Sequence, residues 1–175
     1  MKALVVVDMQ NDFVSGSLGS KEAQAALPAV EAKVAGFKGL LFATRDTHGE
    51  DYLQTQEGRR LPVVHCVKGT PGWELAGRLG ALLENRGAEI FDKPAFGSVA
   101  LARRLAELAG QGRIGEVELA GVCTDICVVS NALLIKAFLP EVPVAVDARA
   151  CAGTTPARHA QALDVMASCQ IDVRR

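Results

Sequence analysis

The sequence predicts a three-layer, Rossmann-like α/β fold: a central, mainly parallel sheet of about six strands with helices on both faces. Three observations carry that expectation. Short apolar runs rich in β-branched residues recur along the chain, as in strands buried on both faces of a parallel sheet. Helical patterns separate these runs at the spacing of strand–helix–strand units. Acidic, basic and thiol side chains stand just past the ends of the runs, where open α/β sheets bind ligands.

Ala3 to Val7 is the first run, and it stops at Asp8. Met9 to Ser20 carries Asn, Asp, Ser and Gly without helical period and reads as a long loop. An Ala-rich helix is expected from about Pro28 to Gly36, because proline suits a first helical turn. Gly39 to Thr44 forms the second strand and delivers Arg45, Asp46 and His48 to its end. From there to Gly72 the chain is polar and turn-rich apart from Val63 and Val64, and loops of that length in a compact domain are usually functional. A helix is predicted from Trp73 to Asn85, closed by Gly87, followed by a third strand, Glu89 to Phe91, that runs out at Asp92-Lys93-Pro94. Ser98 is placed to cap a helix from Val99 to Leu108. The stretch Gly110-Gln111-Gly112-Arg113-Ile114-Gly115 spells a dinucleotide-binding fingerprint, but it follows a helix and leads into a strand, the reverse of the phosphate-binding context, so it reads as a linker. Val117 to Val122 is the next strand. A helix to about Phe138, a strand from Val142 to Val146, a helix from Pro156 to Ser168 and a last strand from Ile171 to Val173 complete the pattern. No repeat or linker divides it, and residues 1–175 read as one domain.

Composition narrows the function. A net charge of −1 lacks the basic excess that nucleic acid or anionic lipid demands, so neither is an expected partner. The apolar run after Lys2 is too short to span a membrane or to act as a signal peptide. The five cysteines form no Cys-x-x-Cys pair and are odd in number, which suits free thiols in the cytoplasm.

The stretch Gly121 to Val128 is where chemistry is expected. Thr124 and Asp125 are helix-starting residues, which puts Cys127 in a first helical turn, where the macrodipole favours thiolate over thiol. Asp8, Asp46, Lys93 and Cys127 all follow predicted strand ends and so converge on one rim. Taken singly, Asp8 reads equally as a turn residue, Lys93 as a solvated strand end and Cys127 as core filling. Together they suit nucleophilic catalysis, with lysine supporting the thiolate and a carboxylate carrying the proton. The backbone N–H groups of Cys123 and Cys127 are placed to form an oxyanion hole. Asp46, His48, Glu57 and His65 offer a mixed nitrogen and oxygen set from one loop, suited to zinc, manganese or iron. His159 is expected to face solvent, and Cys66, Cys151 and Cys169 to fill core.

Asp8 after the first strand, Lys93 after the third and Gly121-Val122-Cys123-Thr124-Asp125-Ile126-Cys127 resemble the isochorismatase-like cysteine hydrolases over nearly the whole chain. Val7 to Phe13, Asp46-Thr47-His48 and His65 to Thr70 are similar to the nicotinamidases (pyrazinamidases) of that family. The resemblance implies Cys127 as nucleophile, Lys93 as its support and Asp8 as general base and acid. It implies a divalent metal, zinc foremost, on Asp46, His48, Glu57 and His65. It further implies a cis Val122–Cys123 peptide, nicotinamide as substrate with Phe13 and Phe96 flanking its ring, and a homo-oligomer. The chain departs from such enzymes at Leu61 to Val64, where they often carry a tryptophan, and at Glu57, where many carry a histidine. Another small-amide hydrolase of the family and, from a different class, a non-catalytic binding module or a thiol redox sensor using Cys123 and Cys127 are the competing readings.

Overall fold

A computed structural model describes residues 1–175. One sheet contains β1 (Lys2–Val7), β2 (Gly39–Asp46), β3 (Glu89–Lys93), β4 (Glu116–Val122), β5 (Val144–Ala152) and β6 (Asp172–Arg174). The order is β3-β2-β1-β4-β5-β6, with every neighbouring pair parallel. The chain winds outward from β1 through β2 to β3, then crosses back to place β4 on the other side of β1. That reversal creates a switch point at the carboxyl ends of β1 and β4, where a crevice must open.

The helices are α1 (Asn11–Val14), α2 (Lys21–Gly36), α3 (Gln56–Arg60), α4 (Leu79–Asn85), α5 (Val99–Gly110), α6 (Val129–Phe138) and α7 (Pro156–Ser168). Alternate side chains of β1 feed opposite cores, so an unbroken apolar run is needed there. Val5 and Val7 pack with Leu105 of α5, Ile135 of α6 and Met166 of α7, while Leu4 and Val6 pack with Val30 of α2 and Leu83 of α4.

The elements depart from the sequence expectation in physically readable ways. Helix α2 starts at Lys21, not near Pro28, because the Ser20 hydroxyl accepts from the Ala23 N–H at 3.0 Å and caps it. Pro28 lies inside the helix, and burial of Ala23, Ala26, Val30 and Val34 offsets its missing donor. Residues 9–20, expected as loop, contain the single turn α1. Helix α4 is shorter than expected: Trp73 to Arg78 are drawn into turns, with the Ala76 N–H donating to the Met9 carbonyl at 2.8 Å. Strand β5 runs past Val146 to Ala152, since Asp147, which resembles a strand end, is neutralised by Lys33. The glycine-rich linker between α5 and β4 is a turn, as its context required.

Lys33 of α2 reaches Glu118 Oε1 at 2.8 Å and Asp147 Oδ2 at 2.7 Å, and Arg174 Nη1 donates to Glu118 Oε2 at 2.7 Å. Burial pushes the Asp147 carboxyl up, but the hydrogen bond and charge of Lys33 more than reverse this and hold it below the ordinary range. The hydrogen bond from Arg174 likewise lowers Glu116. Folded-state pKa values below the unfolded ones mean that this stability is present above about pH 4 and is lost as pH falls through the folded values. The urea midpoint is therefore expected to drop between about pH 6 and pH 3, and Lys33→Ala to cost about 2–3 kcal/mol at neutral pH by stranding the Asp147 carboxylate and leaving Glu118 with Arg174 alone. A midpoint indifferent to both changes would contradict the assignment.

Candidate active site

The last residue of β1, Val7, pairs with Thr44 on β2 and Gly121 on β4. Asp8 follows in the left-handed region at φ 48°, a conformation that aspartate tolerates better than most residues. Its N–H donates to the Thr44 carbonyl at 3.2 Å, and the Thr44 hydroxyl donates to Asp8 Oδ1 at 2.6 Å. Gly121 has φ 124°, and a Cβ there would lie 2.1 Å from the Val7 carbonyl oxygen. Only glycine lets β4 run this close to β1 before the turn that carries the cysteines. The Val122–Cys123 peptide is cis, and residues Thr124–Val128 form a π-turn that leads into α6.

Lys93, at the end of β3, is 1% exposed and sits at the centre. Its Nζ lies 2.7 Å from Asp8 Oδ2, 3.5 Å from Cys127 Sγ, 3.4 Å from Asp46 Oδ1 and 3.1 Å from the Ala95 carbonyl. Burial alone would lower the lysine, but the Asp8 and Asp46 carboxylates outweigh it and keep the ammonium charged. Burial, with Asp46 adding to it, raises the Asp8 carboxyl against the pull of Lys93.

The Cys127 thiol is pushed well up, first by burial and then by Asp8, with Lys93 opposing. Burial thus opposes the preference for thiolate that a helix start provides. A helix terminus contributes about 0.3–1 kcal/mol, whereas desolvating a charge costs several. Asp125 also does not cap the turn: it accepts from the Thr154 N–H at 2.8 Å and the Thr154 hydroxyl at 2.6 Å. Cys123 occupies the capping position, and Thr124 Oγ1 lies 2.8 Å from His159 Nδ1. His159 is consequently half-buried rather than solvent-facing. Cys66 and Cys151 are buried as expected, while Cys169 is exposed.

Beside Lys93, ligand atoms of Asp46, His48, Glu57 and His65 all lie within 4.8 Å of one another. Three local features assemble them. Gln10, wholly buried, donates to the Asp46 carbonyl at 2.9 Å and accepts from the Asp46 N–H at 2.7 Å. The His48 N–H donates to the Cys66 carbonyl at 3.0 Å, which draws residues 65–67 alongside. The Thr55 hydroxyl accepts from the Gly58 N–H at 3.0 Å and starts α3, on which Glu57 rides. His65 Nδ1 lies 2.8 Å from the Val63 carbonyl, leaving Nε2 to face Asp46 at 3.4 Å and Glu57 at 3.8 Å. Two imidazoles and two carboxylates converging in this way fit a divalent cation. The loop that holds them is less irregular than expected, with α3 and a short 3-10 turn at Tyr52–Gln54.

A cleft of about 960 Å³ opens over both clusters, with Phe13, Phe96, Cys123, Cys127, Leu61 and His65 among its walls. Phe13 packs 5.5 Å from the His65 ring. Leu61 stands on this wall, whereas Trp73 lies outside the cleft, with the Arg45 guanidinium 3.6 Å over its ring and its Nε1 donating to Thr47 at 2.9 Å. Sequence reading placed the four rim residues and the four cradle residues together, but gave Thr44 and Gln10 no role. Thr44 closes a predicted strand and Gln10 follows one, a positional signal that marks both as rim residues without showing their partners.

A parallel α/β sheet thus carries a buried cysteine, aspartate and lysine at its switch point. The chain belongs to the isochorismatase domain family, whose family model matches residues 2–175. Its structure is similar to that of nicotinamidase/pyrazinamidase from Bacillus subtilis, at 28% identity and TM-score 0.86 over 99% of each chain. The zinc complex of Pyrococcus horikoshii pyrazinamidase superposes with TM-score 0.83 at 32% identity over 99% of this chain and 98% of that one. The nicotinamidase/pyrazinamidase of Mycobacterium tuberculosis is 29% identical over 73% of this chain and 75% of its own length. No helix is long and apolar enough to cross a membrane.

Proposed function

We propose that the protein hydrolyses nicotinamide to nicotinate and ammonia through a thioester on Cys127, and so serves NAD salvage in the cytoplasm. The observation that carries this reading is the position of Lys93 Nζ, in contact with Asp8, Cys127 and Asp46 at once. One cation thereby ties the proton carrier and the nucleophile to the cradle that would hold the ring. The names of the similar enzymes point the same way.

In the proposed cycle Asp8 takes the proton from Cys127 Sγ as the thiolate attacks the amide carbon. Burial raises the Cys127 thiol, which favours transfer of this proton in step with the attack. The N–H groups of Cys123 and Cys127 hold the developing oxyanion. Collapse breaks the carbon–nitrogen bond, and ammonia leaves with the proton from Asp8. A water then gives a proton to Asp8 and attacks the thioester; nicotinate departs and the proton returns to Sγ. Lys93 balances the negative charge that moves between Asp8 and Sγ. Phe13 and Phe96 would flank the pyridine ring. Asp46, His48, Glu57 and His65 would hold a divalent metal, zinc first, with manganese or iron as alternatives, and when bound it supplies a Lewis acid for the ring nitrogen.

Ammonia release from nicotinamide and pyrazinamide by the purified protein tests this. Turnover of both is expected, falling about tenfold or more on chelation and returning with added zinc. No turnover with zinc, manganese or iron would overturn the nicotinamidase reading.

A further inference from the structure

Asn131 is wholly buried on α6, among the apolar residues Val128, Ala132 and Ile135. Burying a carboxamide in such a place is unfavourable unless its groups are bonded. Here both ends of the amide are used. Oδ1 accepts from the Ser98 N–H at 2.9 Å, and Nδ2 donates to the Phe96 carbonyl at 3.1 Å and to the Cys127 carbonyl at 2.8 Å. The partners lie on two separate segments: Cys127 on the nucleophile turn, Phe96 and Ser98 on the segment that leaves β3 after Lys93. The same segment is held from its other end, where Lys93 Nζ donates to the Ala95 carbonyl. Residue 131 is therefore the bridge that joins the backbone of the nucleophile to the backbone of the Phe96 wall.

We infer that Asn131 is a positioning residue, setting the separation between Cys127 and the aromatic wall the substrate ring must pack against. The inference rests on the amide-hydrolase reading for its kinetic consequences, but its geometric content can be read without turnover. Asn131 touches neither Sγ nor the cleft, so it acts through Cys127 and Phe96.

Two substitutions separate its arms. Asn131→Leu is close in size and removes all three bonds. Asn131→Thr keeps a hydroxyl four residues after Cys127, and Ser130 shows that such a hydroxyl reaches the carbonyl four residues back, donating to Ile126 at 2.6 Å. The threonine cannot also reach Ser98 and Phe96. Misplacing reacting groups by about 1 Å costs roughly a hundredfold, so Asn131→Leu should lower kcat/KM by about that factor. Asn131→Thr should raise KM about tenfold while holding kcat within about threefold, because only the wall is released. Iodoacetamide labelling of Cys127, followed by mass spectrometry, should change about fivefold or more in Asn131→Leu and little in Asn131→Thr. Metal content and Tm are measured beside it.

Unchanged KM, kcat and labelling rate in both folded variants would overturn the inference. So would losses that simply track falling metal content or Tm, the mark of a general packing role. If Asn131→Leu does not fold, the KM-against-kcat split in Asn131→Thr decides. If the unaltered protein turns over no amide, the function reading fails and the labelling rates alone judge the positioning.

Discussion

Cys127→Ala is expected to reduce ammonia release from nicotinamide by about ten-thousandfold or more, because the covalent route is lost and no second thiol can take its place. Cys123 lies on the same cleft but at the capping position of the turn, and Lys93 contacts Cys127 rather than Cys123. Stability should hardly change. The Sγ has Lys93 as a neighbour at 3.5 Å, and removing one buried sulfur leaves a small void costing about 1 kcal/mol. Divalent-metal binding at the proposed cradle should be unaffected, since Cys127 is not among Asp46, His48, Glu57 and His65. Ammonia release measured beside metal content and Tm makes the check, with Cys169→Ser as the exposed-thiol control. Activity retained above a few per cent of the unaltered protein would remove Cys127 from the mechanism.

Asp8→Asn should damage both chemistry and stability. Losing a proton carrier costs about a hundredfold to ten-thousandfold in kcat/KM. The same change leaves the Lys93 ammonium buried, 2.7 Å from an amide in place of a carboxylate, with Asp46 at 3.4 Å as its remaining anion. Breaking a buried pair from one side costs about 3–5 kcal/mol, so the urea midpoint should fall clearly. The pH dependence separates the two effects. Burial raises the Asp8 pKa, so the acid limb of kcat/KM in the unaltered enzyme should lie above the ordinary carboxylate range of about 4. Below that limb Asp8 is already protonated and cannot accept the thiol proton. In Asp8→Asn the limb should vanish along with most of the rate. A variant that kept the same acid limb would show that another group titrates there.

How far the sequence carried the fold is clearest in β1 and β5. Ala3 to Val7 is apolar on both faces, so local pattern alone specified a buried parallel strand. In β5 the same reasoning stopped at Asp147, because a carboxylate in a strand reads as its end. Only the fold brings Lys33 of α2 to 2.7 Å and lets the strand continue to Ala152. Pro28 misled in the same manner. Its preference for a first turn is real, but Ser20, eight residues before it, caps the helix and the packing of Val30 and Val34 carries the turn past it.

The candidate site divides along similar lines. That Asp8, Asp46, Lys93 and Cys127 should meet was legible, because each follows a strand and the carboxyl ends of parallel strands share one rim. Their identity and their shared edge are properties of local sequence, as is the mixed set of donors from Asp46 to His65. What they do to one another is a property of register and burial. Val7 stands beside Thr44, so the Thr44 hydroxyl orients Asp8; Asn131 lies four residues past Cys127, but its other partners are 33 and 35 residues away in sequence. The surroundings of the thiol were decided last. The motif places Cys127 at a helix start, which favours thiolate, yet the tertiary structure buries it beside Asp8, and the cost of an unsolvated charge exceeds what a helix dipole and one lysine return.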